Sequence, residues 1–217
     1  MNQVSKAVLR TLAYADIFDY PLTEKEIFRF LIINYQLSII NFRKELSQPS
    51  VKIAEQDDFY FLAGREKIVA TRRKREQWSR EKMKIVQRVA GWLKLIPTIK
   101  MVAVTGALAM NNADKNDDID LLIVTAKNRL WLTRLLTVFL TEIVAHRRRP
   151  GDKVVADKIC LNMFLDEDFL TVPKKERDLF AGHEVCQLKP LWDKDYCYQK
   201  FVVANLWVKK FLANWKS

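Results

Sequence analysis

The sequence predicts a mixed α/β (α+β) chain in two folded parts joined by a long basic helix. Three observations carry that reading. Apolar residues recur at helical spacing through residues 4–46 and give way to two short β runs. A helical stretch dense in Lys and Arg follows, from about 66 to 95. Two apolar, β-rich runs, residues 101–105 and 118–125, then enclose a glycine and a polar loop.

The first part covers residues 1–64. Val8, Leu9, Leu12, Ala13 and Ile17 mark an amphipathic helix, stopped where Pro21 pushes Tyr20 out of helical geometry. Thr23 reads as the N-cap of a second helix, with Glu26 completing a capping box and Ile27, Phe28 and Leu31 as its buried stripe. Ile39, Phe42 and Leu46 belong to a third helix that ends near Pro49. Residues 51–53 and 59–61 form a hairpin about the polar turn at 56–58, closed by Gly64. Three helices and a hairpin in this order make a winged helix-turn-helix. Its third helix offers Asn41, Arg43, Lys44 and Gln48 to a DNA groove, or serves packing and protein contacts alone.

Residues 65–97 form the connector, with Ile68, Val69, Trp78, Ile85, Val89, Trp92 and Leu93 as apolar contacts and Pro97 as its stop. The second part, residues 98–217, opens with the strand at 101–105, Gly106, and a small-residue turn of helix at 107–110. A polar loop leads to the strand at 118–125, then to an amphipathic helix built on Leu132, Leu135, Leu136, Phe139 and Ile143. Residues 158–165 read as a third strand, and the rest as a mostly helical tail carrying Trp192, Tyr196, Phe201, Leu206, Trp207, Phe211 and Leu212. His183 beside Glu184 in that tail reads as a polar surface pair.

Composition narrows the class. The 217 residues are 49% hydrophobic, enough for a core in each part, and no apolar run is long enough to span a membrane. The N-terminus lacks the pattern of a signal peptide, and three cysteines without metal-ligand spacing read as reduced thiols, so a cytoplasmic protein is expected. The net charge of +11, concentrated between 65 and 100 and at His146–Arg149, suits a polyanionic partner, either a nucleotide or a nucleic acid met by the winged helix or the basic helix. A solvated helix face and a basic loop account for the same charge. Nothing in the sequence sets the oligomeric state.

Chemistry concentrates around one strand. Side chains alternate along it, so Asp118 and Asp120 leave the same face. Two carboxylates amid apolar strands call for a cation, and oxygen ligands of this kind suit Mg²⁺ or Mn²⁺ carrying substrate phosphates. Gly106, with the helix start at Ala107 behind it, lets a backbone approach a phosphate. By the same alternation Lys158, Cys160, Asn162 and Phe164 of the third strand share the face of the Asp pair. Lys158 is either a triphosphate contact or a solvated strand end.

Residues 104–107, Val-Thr-Gly-Ala, followed by Asp118-Ile119-Asp120-Leu121, resemble the signature of the DNA polymerase β-type nucleotidyltransferase superfamily. The layout as a whole resembles a group of bacterial proteins with a winged helix ahead of that domain. The resemblance implies a mixed sheet with flanking helices, a divalent metal on Asp118 and Asp120, and an NTP whose nucleoside monophosphate passes to an acceptor. It also implies a serine where Ala107 stands, and a third carboxylate on the next strand, where alternation sets Asn162. The competing readings are a catalytically degenerate nucleotide-binding sensor or DNA-binding regulator, without turnover, and an adaptor that keeps only the fold.

Overall fold

The computed structural model describes residues 2–47 and 50–216. Gln48 and Pro49, expected as a DNA contact and a helix stop, lie outside them. The elements in chain order are α1 (Gln3–Asp16), β1 (Leu22–Thr23), α2 (Glu24–Arg29), α3 (Ile39–Leu46), β2 (Ile53–Gln56), β3 (Phe59–Leu62) and α4 (Lys67–Leu93). There follow β4 (Ile99–Val104), α5 (Gly106–Ala109), β5 (Ile119–Thr125), α6 (Leu130–Val144), β6 (Ile159–Asp166), α7 (Leu179–Gln187), β7 (Lys189–Asp193) and α8 (Cys197–Ala204). The chain divides into two compact units: residues 1–74, 177–186 and 207–217 form the first, and 75–176 with 187–206 the second.

In the first unit α1 buries Ala7, Val8, Leu12 and Ala15, spaced for one helix face, while Ile17 lies beyond the helix and is exposed. Thr23 and Glu26 form the capping box, each side chain accepting from the other's backbone N–H, so the start of α2 is set by four neighbouring residues. The hairpin β2–β3 turns at Asp57 and Asp58, both at positive φ, and β1 pairs with the other edge of β3 to give the order β1-β3-β2. Arg72 of α4 is buried here. Its guanidinium donates to Pro21 O at 2.7 Å and Glu26 Oε1 at 2.8 Å and lies 3.9 Å over the Tyr20 ring. A buried cation needs that full set of partners.

Two stretches of the expected helical tail belong to this unit. Leu212 bridges to Ile33, and Trp215 Nε1 donates to Cys186 O at 3.0 Å. His183 is buried rather than part of a surface pair, with its ring stacked on Tyr14 at 4.2 Å. The tail is also not helical throughout, because β7 runs through it.

The second unit holds a mixed four-stranded sheet in the order β6-β5-β4-β7. β4 runs antiparallel to β5 and β7, while β5 and β6 are parallel and joined through α6. One sheet face, with Val102, Val104, Ile119, Leu121 and Ile123, forms a core with Val86, Val89 and Leu93 of α4 and Leu108 of α5. The other face carries Met101, Ala103, Leu122 and Val124, all buried, and ends in Asp120. Pro190 is tolerated in β7 because that strand is an edge.

The amphipathic helix α6 is turned opposite to expectation. Thr133, Thr137 and Thr141 are its buried residues, while Leu132, Leu135, Leu136, Phe139 and Ile143 face outward.

Candidate metal and nucleotide site

The site is assembled at the mouth of β5. Gly106 follows β4 at φ +62°, a conformation that disfavours any side chain, and a Cβ added there would lie 3.3 Å from Asp120 Oδ2. Thr105 N donates to Asp120 O at 3.1 Å, which ties the turn to the strand bearing the carboxylate. Thr105 is also the N-cap of α5 yet makes no side-chain capping bond, and its buried hydroxyl finds no partner among the described residues. Ala107 is exposed at the same turn. A helix of four residues adds little macrodipole, so the turn's backbone, rather than a helix field, is what it offers to an anion.

Asp118 sits just before β5, its side chain largely covered, and accepts from Arg148 Nη1 at 2.6 Å. Arg148 is placed by the backbone. Its N–H donates to Ile159 O at 2.9 Å, and Ile159 N donates to His146 O at 2.8 Å, so part of the basic loop runs as an extra bridge along β6. Its basic neighbours turn elsewhere, since Arg147 and Arg149 both hold Glu142.

Alternation along β6 breaks at one point. Asp120 is in register with Cys160, but Leu122 pairs with Met163, so β6 holds one more residue than β5 across this step. The bulge takes in Leu161 and Asn162. Asn162 is exposed and out of register, and the residue beside Asp120 is Cys160. The ligand atoms of Asp118, Asp120 and Cys160 lie within 4.8 Å of one another. Burial and the neighbouring Asp118 raise the Asp120 carboxyl above its ordinary range, and burial with the Asp120 contact pushes the Cys160 thiol up to about 12. Arg148 in turn is held charged by Asp118.

The other expected ligand is engaged locally, Lys158 Nζ donating to Asp152 Oδ2 at 2.7 Å. Two lysines that the sequence reading passed over contribute to the frame. Lys82 of α4 is buried and donates to Asp117 O at 2.7 Å, Lys115 O at 3.1 Å and Asp157 Oδ1 at 2.8 Å, clamping the loop that delivers Asp118. Lys189 is in register with Val104, its ammonium 3.5 Å from Asn111 Oδ1 beyond the glycine turn, and burial lowers its pKa. Neither had a signal in the sequence beyond being one lysine among many.

Two carboxylates and a thiol on one face, at this spacing, form a donor set that fits a divalent cation. The partnerless Thr105 hydroxyl and the tight Gly106 backbone fit an anion beside it. The chain matches no protein-family model, and no curated protein or solved structure is significantly similar to it.

Proposed function

We propose that the second unit is a nucleotidyltransferase-type domain that binds an NTP together with Mg²⁺ or Mn²⁺ and passes its nucleoside monophosphate to an acceptor. The observation that carries this reading is the packing of the Gly106 turn directly on Asp120, with Asp118 alongside. A backbone turn that could accept phosphate and a carboxylate pair are thereby adjacent, although about a dozen residues separate them in sequence. The order of strands supports it too, with an antiparallel β4–β5 pair followed by parallel β6. Bound metal would screen phosphate charge and orient the acceptor. Asp118 and Asp120 would hold it, and Gly106, Ala107 and Thr105 would seat the phosphates, while Lys82 keeps the Asp118 loop in place. The two carboxylates would carry the metal, because the third donor, Cys160, is of a kind that suits softer ions than Mg²⁺ or Mn²⁺.

Calorimetric titration of the four NTPs with and without Mn²⁺ tests it. Binding should require the metal, and Asp118→Ala with Asp120→Ala should abolish that requirement; unchanged affinity in the double variant would refute the assignment.

A second reading, a nucleotide sensor without turnover, is favoured by one feature. The further carboxylate that the resemblance implies was expected at Asn162, which lies out of register, and the position beside Asp120 is held by Cys160, which carries no carboxylate either. Metal-dependent binding with no pyrophosphate released is its signature. The first unit, for its part, orders its elements as helices α1 to α3 and a three-stranded sheet, which supports a winged-helix reading, and α3 exposes Asn41, Arg43 and Lys44, with Arg43 already paired to Glu24 at 2.8 Å. DNA affinity residing there would fall steeply with salt and fall further in Arg43→Ala with Lys44→Ala.

A further inference from the structure

We propose that the outward face of α6 is a self-association surface, covered in solution by α6 of a second copy of this chain. The helix carries Trp131, Leu132, Leu135, Leu136, Phe139 and Ile143 outward, with Trp131 78%, Leu135 67%, Phe139 67% and Ile143 65% exposed. At 100° per residue these six side chains fall within an arc of less than half the helix circumference, with Leu135 and Phe139 near its middle. The opposite side, with Thr133, Thr137 and Thr141, is already occupied by the unit's own packing. The apolar arc is therefore left over from the packing of this unit.

Area favours a two-fold pairing of like helices. Six large apolar side chains, each presenting on the order of 100 Å², offer roughly 600 Å² per copy, more than scattered surface apolars supply. Two such faces together remove roughly 1,200 Å² from water, which reaches the range of specific interfaces. One patch can serve both partners, since a two-fold interface uses the same surface twice. The one acid within the arc, Glu142, is already paired with Arg147 and Arg149, so covering it does not strand an unpaired carboxylate.

Local charge argues against an anionic membrane as the occupant. Most cations at α6 are engaged: Lys127 pairs with Asp168 at 2.8 Å, Arg148 with Asp118, Arg147 and Arg149 with Glu142, and Arg134 lies 5.2 Å over the Phe164 ring, which leaves Arg129 at the helix start. Cations spent on internal pairs contribute little attraction to lipid headgroups.

Sedimentation velocity over a concentration series of the 217-residue chain tests the proposal. The wild type should form a dimer, and Leu135→Arg with Phe139→Arg should weaken it by about 100-fold or more, the scale of placing unpaired charge in an interface core. Phe139→Ala should weaken it by a smaller factor, and both variants should keep the circular dichroism and melting transition of dilute, monomeric wild type. Added salt should tighten the dimer, because it screens repulsion between two chains of charge +11 while leaving apolar contact intact. A wild type that stays monomeric at every concentration would overturn the proposal, as would a dimer indifferent to both substitutions. Monomer that instead binds phosphatidylserine vesicles, weakens with salt and fails to bind in the double variant would reassign the face to a membrane.

Discussion

Helices α1 and α6 have much the same sequence signature and opposite surroundings. Each is an amphipathic run of about four turns, with apolar residues at helical spacing. In α1 the apolar stripe of Ala7, Val8, Leu12 and Ala15 is the buried one, and Tyr14 stacks on His183 at its flank. In α6 the buried stripe is Thr133, Thr137 and Thr141, and the larger apolar side chains face outward. Periodicity thus reports that a helix has two faces, and leaves open which of them the rest of the chain covers. The reason lies in packing. Threonines are compact and let a helix approach closely, so a threonine stripe can be the inner one where space is short.

The comparison predicts its largest contrast on truncation. Leu12→Ala removes a fully packed side chain and should lower unfolding free energy by about 2–5 kcal/mol, measured by urea denaturation. Loss of less than about 1 kcal/mol would mean that the α1 face is not the closely packed one.

Next in size is a pH effect at the same helix. Burial pushes His183 down to about 4 from its ordinary 6.5. The unfolded chain takes up a proton below about 6.5 that the folded unit refuses, so stability present above that pH is lost as pH falls toward about 4, by about 3 kcal/mol in all. His183→Phe keeps a ring against Tyr14 and should flatten this part of the stability–pH curve. An unchanged slope would show that other groups produce it.

Smaller still is the effect of improving the inner face of α6. Thr137 Oγ1 and Thr141 Oγ1 are buried and find no hydrogen-bond partner among the described residues. Thr137→Val keeps the shape and removes an unsatisfied hydroxyl, so it should be neutral or stabilising by up to about 1 kcal/mol. A loss of stability there would show that the hydroxyl has a partner in solution, such as a bound water. The smallest effect belongs to the outer face. Leu135→Ala, measured on dilute monomer, should change stability by no more than about 0.5 kcal/mol, against the several expected at Leu12.

How far the site could be read in advance follows the range of the forces involved. Asp118 and Asp120 lie two residues apart at the start of one strand, and Gly106 just past the end of the strand before, so local alternation and turn chemistry are enough to nominate them. Asn162 was nominated by the same alternation, carried across a point where β6 takes in an extra residue. A bulge is set by how two strands pair, and one inserted residue reverses every later side chain. Cys160, ahead of the bulge, stands on the face that alternation gives it, whereas Arg148 reaches the Asp pair with no sequence argument that singles it out.

By itself the amino-acid sequence determined the local pieces: the Thr23–Glu26 capping box, the glycine turn before an Asp-x-Asp strand, the long basic helix, and most strand and helix positions to within a few residues. These depend on neighbours along the chain, whose hydrogen bonds and backbone limits act over one turn or one strand. Only the tertiary structure decided which segments of the C-terminal stretch join the first unit, that residues 189–193 pair as a strand with β4, that Cys160 stands beside Asp120, and that α6 turns its threonines inward. Each of those outcomes compares the burial and pairing of alternatives distant in sequence, and such comparisons are made only when the partners meet in three dimensions.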